Sequence, residues 1–330
     1  MGFEDRGLDK IKSENDVDLE NKDIIIVSDV HLGYRDKLKN GNMNSNKDAF
    51  KGFLKEIKLG QNPKFKCDFF IIAGDFLDIW RRDLAGVVME NRDVLELLDE
   101  LQKGGIEIKF IVGNHDYWLR RINKQNFGYN FTFLENLLLK YQNKNYFFFH
   151  GDRLEYWKFL KNNIEAIYDG LCLTDDNAGT KLENAWQLYL SLKGSLLERI
   201  IGVLFGHKRS LFNQFFIDDK RELKTAEDRF TRVPSIDDLD DLNPVEKEAI
   251  LLTREENLNQ LVFGHTHRPF HFKDSIENFH VLNTGSWVKN GDTANTYVQV
   301  KAGNPNLYRY VRGQGEIINL FIDDSKKLLP

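Results

Sequence analysis

Short apolar runs that end abruptly in polar residues recur along the chain. Ile24-Ile25-Ile26-Val27 passes directly into Ser28-Asp29-Val30-His31, the pattern of a strand buried on both faces with a polar tip. Phe69 to Ala73 repeats the design into Gly74-Asp75, and Ile106 to Val112 empties into Gly113-Asn114-His115-Asp116. Tyr146 to Phe149 ends at His150-Gly151-Asp152, Leu261 to Phe263 at Gly264-His265-Thr266-His267, and Phe279 to Leu282 at Asn283 to Trp287. Between the first two runs, Phe50, Phe53, Leu54 and Ile57 recur at helical spacing, and 93–101 shows the same period. Near the C-terminus YVQV, LYRYV and IINLFI alternate as strands do. Strands separated by helices predict an α/β domain with at least a partly parallel sheet. Such sheets bind ligands beyond the carboxyl ends of their strands, where these polar tips lie.

Residues 1–22 read as a polar lead-in and 23–330 as a single domain. Within that domain, 153–258 reads as a helical, cap-like insertion: Glu183 to Phe216 is amphipathic, and 218–256 carries clustered acid.

The 330 residues include 41% hydrophobic and 29% charged side chains, which suits a globular chain rather than a disordered one. A net charge of −5 gives no basic field for nucleic acid. With only Cys67 and Cys172, no disulfide framework is expected, and a reducing compartment is. The first twenty residues lack the apolar core of a signal peptide, and Arg6 breaks the myristoylation pattern. The expected location is cytoplasmic and peripheral to the inner membrane, with the amphipathic 183–216 block as the stretch that would touch lipid.

Five of the eight histidines fall in the polar tips. Asp29 and His31 stand two apart, as do His265 and His267, so each pair faces one way if its strand continues. Carboxylate, imidazole and amide oxygen together suit Mn, Fe, Co, Ni or Zn rather than Ca or a thiolate site. The ligands outnumber what one tetrahedral ion takes, which favours a two-metal site. A lone His-Gly-Asp is more often a turn than a ligand, but packing does not account for five such tips in series.

The series resembles the motifs of the calcineurin-like metallophosphoesterase superfamily, with Asn283 to Trp287 resembling the strand that follows them. The resemblance implies a four-layer α-β-β-α sandwich of two mixed sheets, the metallo-dependent phosphatase fold, here with a helical insertion. It implies one ion on Asp29, His31, Asp75 and His267, and a second on Asp75, Asn114, His150 and His265, with Asp75 bridging. Manganese is the expected metal, with iron, zinc, cobalt or nickel as alternatives. The implied reaction is hydrolysis of a phosphate ester or diphosphate bond by in-line attack of a metal-bridging hydroxide. His115 resembles the family's residue for the leaving oxygen, and Asp78 is placed to orient it. Asp116 and Asp152 read as turn residues or as hydrogen-bond partners of the ligands.

Within that superfamily, GDFLDIW, GNHD, HGD and GHTHRP look most like the branch of UDP-2,3-diacylglucosamine pyrophosphohydrolases. That branch implies a phosphorylated small-molecule or lipid-linked diphosphate as partner, with acyl chains against the 183–216 helices. Arg81, Arg82, Arg153 and Arg268 adjoin the motifs and suit a diphosphate. Two departures keep other substrates open: His115 stands where the branch often has arginine, and Thr174-Asp175-Asp176 comes far after His150. A nucleotide phosphodiesterase or nuclease is the alternative, although the acidic 218–256 segment disfavours polyanions. A non-catalytic scaffold of the same fold is the remote one, since every expected ligand is present.

Overall fold

The computed structural model describes residues 11–15, 21–34, 45–79, 83–121, 129–154, 242–274, 276–288, 294–311, 314–317 and 321–323, together with Phe3, Leu8 and Val17. Residues 155–241, with most of the expected insertion and its amphipathic and acidic stretches, lie outside the described residues.

Two mixed sheets, each of seven strands among the described residues, pack face to face. The first runs in the order β1 (Ser13–Asn15), β6 (Asn136–Tyr141), β7 (Lys144–Phe149), β8 (Gln260–Phe263), β10 (Phe279–Asn283), β9 (Phe270–Asp274), β14 (Phe321–Asp323). The second runs β13 (Gln314–Ile317), β12 (Asn304–Val311), β11 (Thr296–Lys301), β2 (Ile24–Val27), β3 (Phe69–Ala73), β4 (Glu107–Ile111), β5 (Phe133–Leu134). The central strands β2 and β3 are buried along their whole length because both faces are covered. Ile24, Ile26, Phe69, Ile71 and Ala73 meet Phe148, Val262 and Leu282 of the other sheet, while Ile25, Val27, Phe70 and Ile72 turn outward.

Against that outer face pack α1 (Lys47–Leu59), through Phe50, Phe53, Leu54 and Ile57, and α3 (Arg92–Lys103), through Val94, Leu95, Leu98 and Leu101. The short helix α2 (Leu84–Glu90) precedes α3, and Asp83 caps it by accepting from the Gly86 N–H. Helix α4 (Pro244–Glu255) opens on a capping box of Asn243 and Glu246 and lays Val245, Ala249, Ile250 and Leu252 on the outer face of the first sheet. These are the four layers expected from the motifs. No helix among the described residues is long and apolar enough to cross a membrane.

The structure departs from the sequence reading at three places. The polar lead-in contributes β1, whose Ser13–Asn15 pair in parallel with Leu138–Lys140, and Glu14 bonds Lys109 at 2.6 Å. An edge strand held by backbone bonds and one ion pair needs no hydrophobic period. The last part of the span read as an insertion, 244–255, is the outer-layer helix α4, since its apolar face is buried on the sheet. The final apolar run near IINLFI is divided, with β13 in the second sheet and β14 in the first.

Candidate metal centre

Three parallel strands of each sheet end at the same edge of the sandwich: β2, β3 and β4 of the second, β7, β8 and β10 of the first. Backbone bonds then tie the tips together, Asp29 N–H to Gly74 O, Gly264 N–H to His150 O, and Trp287 N–H to Asp29 O across the two sheets. Sequence-distant residues are thereby delivered to one place.

The seven expected ligands converge there. His31 Nε2 lies 3.0 Å from His267 Nε2, and His267 Nε2 lies 3.2 Å from Asp29 Oδ1. Asp75 Oδ2 stands 3.7 Å from His31 Nε2 and 3.2 Å from His150 Nε2, between the two expected ligand sets. Asn114 Oδ1 is 3.1 Å from His150 Nε2, and the His265 ring packs edge-on to His150 at 5.1 Å. His150 Nδ1 must donate to the Ala73 carbonyl at 3.0 Å, which turns Nε2 toward Asp75 and Asn114.

The backbone at the site is as unusual as its side chains. Asp29, His31, Asp75, His265 and His267 all have positive φ, at 52°, 48°, 51°, 69° and 56°. A left-handed non-glycine residue costs on the order of 1–3 kcal/mol, and such strain persists where the surroundings impose it. Five of seven expected ligands carry it, so the fold holds these side chains at a site rather than in relaxed turns. Close approach also fixes Gly264 and Gly113: a Cβ on the first would collide with Ser28 and Asp29, and on the second with Asp75.

The electrostatics call for a cation. Burial would raise the Asp29 and Asp75 carboxyls, but His267 beside Asp29, and His150 and His115 beside Asp75, hold both below the usual carboxylate range. Burial keeps the His31 imidazole below its usual value, hence neutral and able to ligate. For His150 burial acts the same way, yet the charge of Asp75 wins and raises it. Asp29 Oδ1 is buried and accepts no hydrogen bond. An orphaned carboxylate oxygen beside two imidazole nitrogens fits a divalent ion, because nitrogens ~2.1 Å from one ion at right angles lie ~3.0 Å apart. The residues present therefore fit metal binding, as three clusters of potential ligand atoms: Asp29, His31 and His267; Asp29, Asp75 and His150; His31, Asp78 and His115.

The expected dyad is in contact. His115 Nδ1 lies 3.2 Å from Asp78 Oδ1, and Asp78 is fully buried rather than a surface carboxylate. The His115 ring stands edge-on to His31 at 4.7 Å. Asp116 bonds backbone rather than ligands: its Oδ2 accepts from Phe76 N–H (2.7 Å) and Leu77 N–H (3.3 Å), its Oδ1 from Gly113 N–H (2.6 Å). Burial and the charge of Asp75 push its carboxyl up to about 7. Asp152 is buried beside His150, in a small recess with Tyr117 and Glu135. Arg153 is also buried and donates from Nη2 to Glu135 Oε2 at 2.9 Å, while Glu135 Oε1 accepts from Arg120. Arg268 follows His267 directly and is half-buried. Arg81 and Arg82 lie outside the described residues.

Sequence reasoning missed Ser28, Asn283 and Thr284, which bond the expected ligand Asp29, the loop of His265 and His267, and one another. The position of Ser28 immediately before Asp29, and of Asn283-Thr284 at another strand end, was their only signal.

Residues 22–269 match the family model described as calcineurin-like phosphoesterase. None of the curated proteins compared matches the chain. Solved structures similar to it include a predicted phosphoesterase from Streptococcus pneumoniae TIGR4, at 11% identity and a TM-score of 0.36, over 90% of this chain and 93% of that one. Another is vacuolar protein sorting 29 from Cryptosporidium parvum, at 12% identity and 0.39, over 90% and 95%. A third is a cold-active protein-tyrosine phosphatase of a psychrophilic Shewanella species, at 15% and 0.38, over 94% and 82%. By its match over residues 22–269, the chain belongs to the calcineurin-like phosphoesterase family.

Proposed function

We propose that the protein is a two-metal hydrolase that cleaves a phosphate ester or diphosphate bond, with a lipid-linked nucleotide diphosphate as its substrate class. The observation that carries the reading is the position of Asp75 Oδ2, 3.7 Å from His31 Nε2 and 3.2 Å from His150 Nε2, within reach of both expected ligand sets. Asp29, His31, Asp75 and His267 would hold one ion, and Asp75, Asn114, His150 and His265 the other. Two divalent ions so held, manganese first among the candidates, supply Lewis acidity to a phosphate and lower the pKa of a water.

The chain's own groups supply the rest. His115 lies beside the cluster with Nδ1 toward Asp78 and Nε2 3.9 Å from Asp75 Oδ2, so its Nε2 is the atom that would give a leaving oxygen its proton. Asp78, buried against it, fixes the ring. Arg268 is the described arginine next to a ligand histidine and suits a phosphate oxygen. The choice of a lipid-linked diphosphate rests on the sequence motifs shared with that branch.

The test is turnover of a phosphodiester, a phosphomonoester and a UDP-linked diphosphate by metal-stripped protein, with and without Mn²⁺. Metal-dependent turnover highest on the diphosphate supports the reading. Preference for a simple diester would replace the substrate class with nucleotides, and no turnover of any of them with metal bound would point to the scaffold.

A further inference from the structure

The end of β10 and the segment after it supply none of the expected ligands, yet they touch the loops that do. Asn283 is fully buried; its Nδ2 donates to the Gly264 carbonyl at 2.6 Å and to Thr266 Oγ1 at 3.0 Å, and its Oδ1 accepts from Gly285 N–H at 2.8 Å. It thus grips the loop on both sides of His265 and immediately before His267. Thr284 donates its backbone N–H to Phe263 O at 2.9 Å, and its hydroxyl pairs with that of Ser28 at 2.5 Å. Ser28 Oγ in turn bonds Asp29 Oδ2, which also accepts from His265 N–H at 2.9 Å. Two donors therefore occupy Oδ2 while Oδ1 has none. The far end of the segment is anchored by Trp287, buried against Phe50 at 4.9 Å and Phe53 at 5.1 Å.

We propose that Asn283, Thr284 and Ser28 are positioning residues of the metal centre. Asn283 fixes the one loop that presents His265 and His267, and the Ser28–Thr284 pair turns Asp29 so that Oδ1 is the oxygen left for a cation. The inference rests on the two-ion reading above. A hydroxyl has one proton, and the ionised carboxylate is the strongest acceptor within reach of Ser28, so Ser28 donates to Asp29 and accepts from Thr284. The chain of bonds has one direction, and it ends on the ligand. Its two arms differ in reach: the Ser28 and Thr284 hydroxyls lead to Asp29, an expected ligand of one ion, whereas Asn283 acts on the loop of His265 and His267, one expected at each ion.

The experiment is calorimetric titration of Mn²⁺ into metal-stripped wild type, Ser28→Ala, Thr284→Val and Asn283→Ala, with thermal melts of each metal-free protein. Wild type should bind two ions. Ser28→Ala and Thr284→Val should weaken one binding event by on the order of 10- to 100-fold and spare the other, and Asn283→Ala should weaken both. If Asn283→Ala shows no cooperative melt, Thr266→Val removes one of its two donor contacts and should weaken both events by about 3-fold or more. Unchanged affinities in folded variants, or equal loss at both ions from Ser28→Ala, would overturn the positioning role alone. A wild type that binds no Mn²⁺ would overturn the two-ion reading and this role with it.

Discussion

Asp116 is the tightest test of how the ligand loops are built. Its carboxylate accepts from three buried backbone donors, Phe76, Leu77 and Gly113, and so ties the tip after β3 to the tip after β4. Asp116→Ala leaves all three N–H groups without an acceptor in a site that water does not reach. Each such orphan costs about 1–3 kcal/mol, so the expected loss for three is about 3–9 kcal/mol, a large part of a typical domain's stability. Asp116→Asn keeps one oxygen and turns an amide donor toward the remaining N–H groups, and it should fall between alanine and wild type. Urea denaturation of the metal-free proteins reads both values from the shift in midpoint at constant slope. A loss below about 1 kcal/mol for Asp116→Ala would refute the claim that these three bonds hold the loops, because no other acceptor is in place for those groups.

Three further outcomes follow from the geometry. His271 Nε2 and His280 Nδ1 lie 3.0 Å apart, and burial lowers them to about 3 and about 4, with charged Lys273 acting the same way on both. Unfolded imidazoles titrate near ~6.5, so the unfolded chain binds more protons below that pH; stability should fall as pH drops from about 6.5 and level off near the folded values. The slope is up to ~1.4 kcal/mol per pH unit for each histidine, and a His271→Gln, His280→Gln double variant with an unchanged slope would contradict it. His267 is partly exposed at φ 56°, a backbone that asparagine tolerates better, so His267→Asn should raise the stability of the metal-free protein by up to ~1 kcal/mol while weakening Mn²⁺ binding. A lower melting temperature without metal would count against strain at the site. Gly264→Ala drives a methyl into Ser28 and Asp29 and should abolish tight metal binding, which equilibrium dialysis would detect; normal binding would show that the loop has room.

The convergence of the expected ligands was legible in the sequence because they lie at the ends of apolar strands. Asp29, Asp75, Asn114, His150 and His265 each follow such a run, and a parallel arrangement carries strand ends to one edge. Asp78 and His115 were legible for the same reason, three residues and one residue beyond a ligand. What the pattern could not carry was support from polar side chains with no period of their own. Ser28 bonds across the two sheets to Thr284, and Asn283 bonds the loop after the neighbouring strand β8, relations that spacing along the chain does not encode. β1 escaped notice because Ser13–Asn15 pairs through its backbone, and β6 because its apolar run is only one turn from β7. Left-handed backbone at five ligands has no sequence signal either, since none of them is glycine.

The central claim is one carboxylate shared by two ions, and ion counting on Asp75→Asn tests it most directly. Metal-stripped wild type and variant would be equilibrated with Mn²⁺, and bound metal per chain measured beside phosphodiester turnover. The account predicts two ions and turnover for the wild type, and for the variant at most one tightly bound ion with turnover lost. Two ions and undiminished turnover in Asp75→Asn would contradict it.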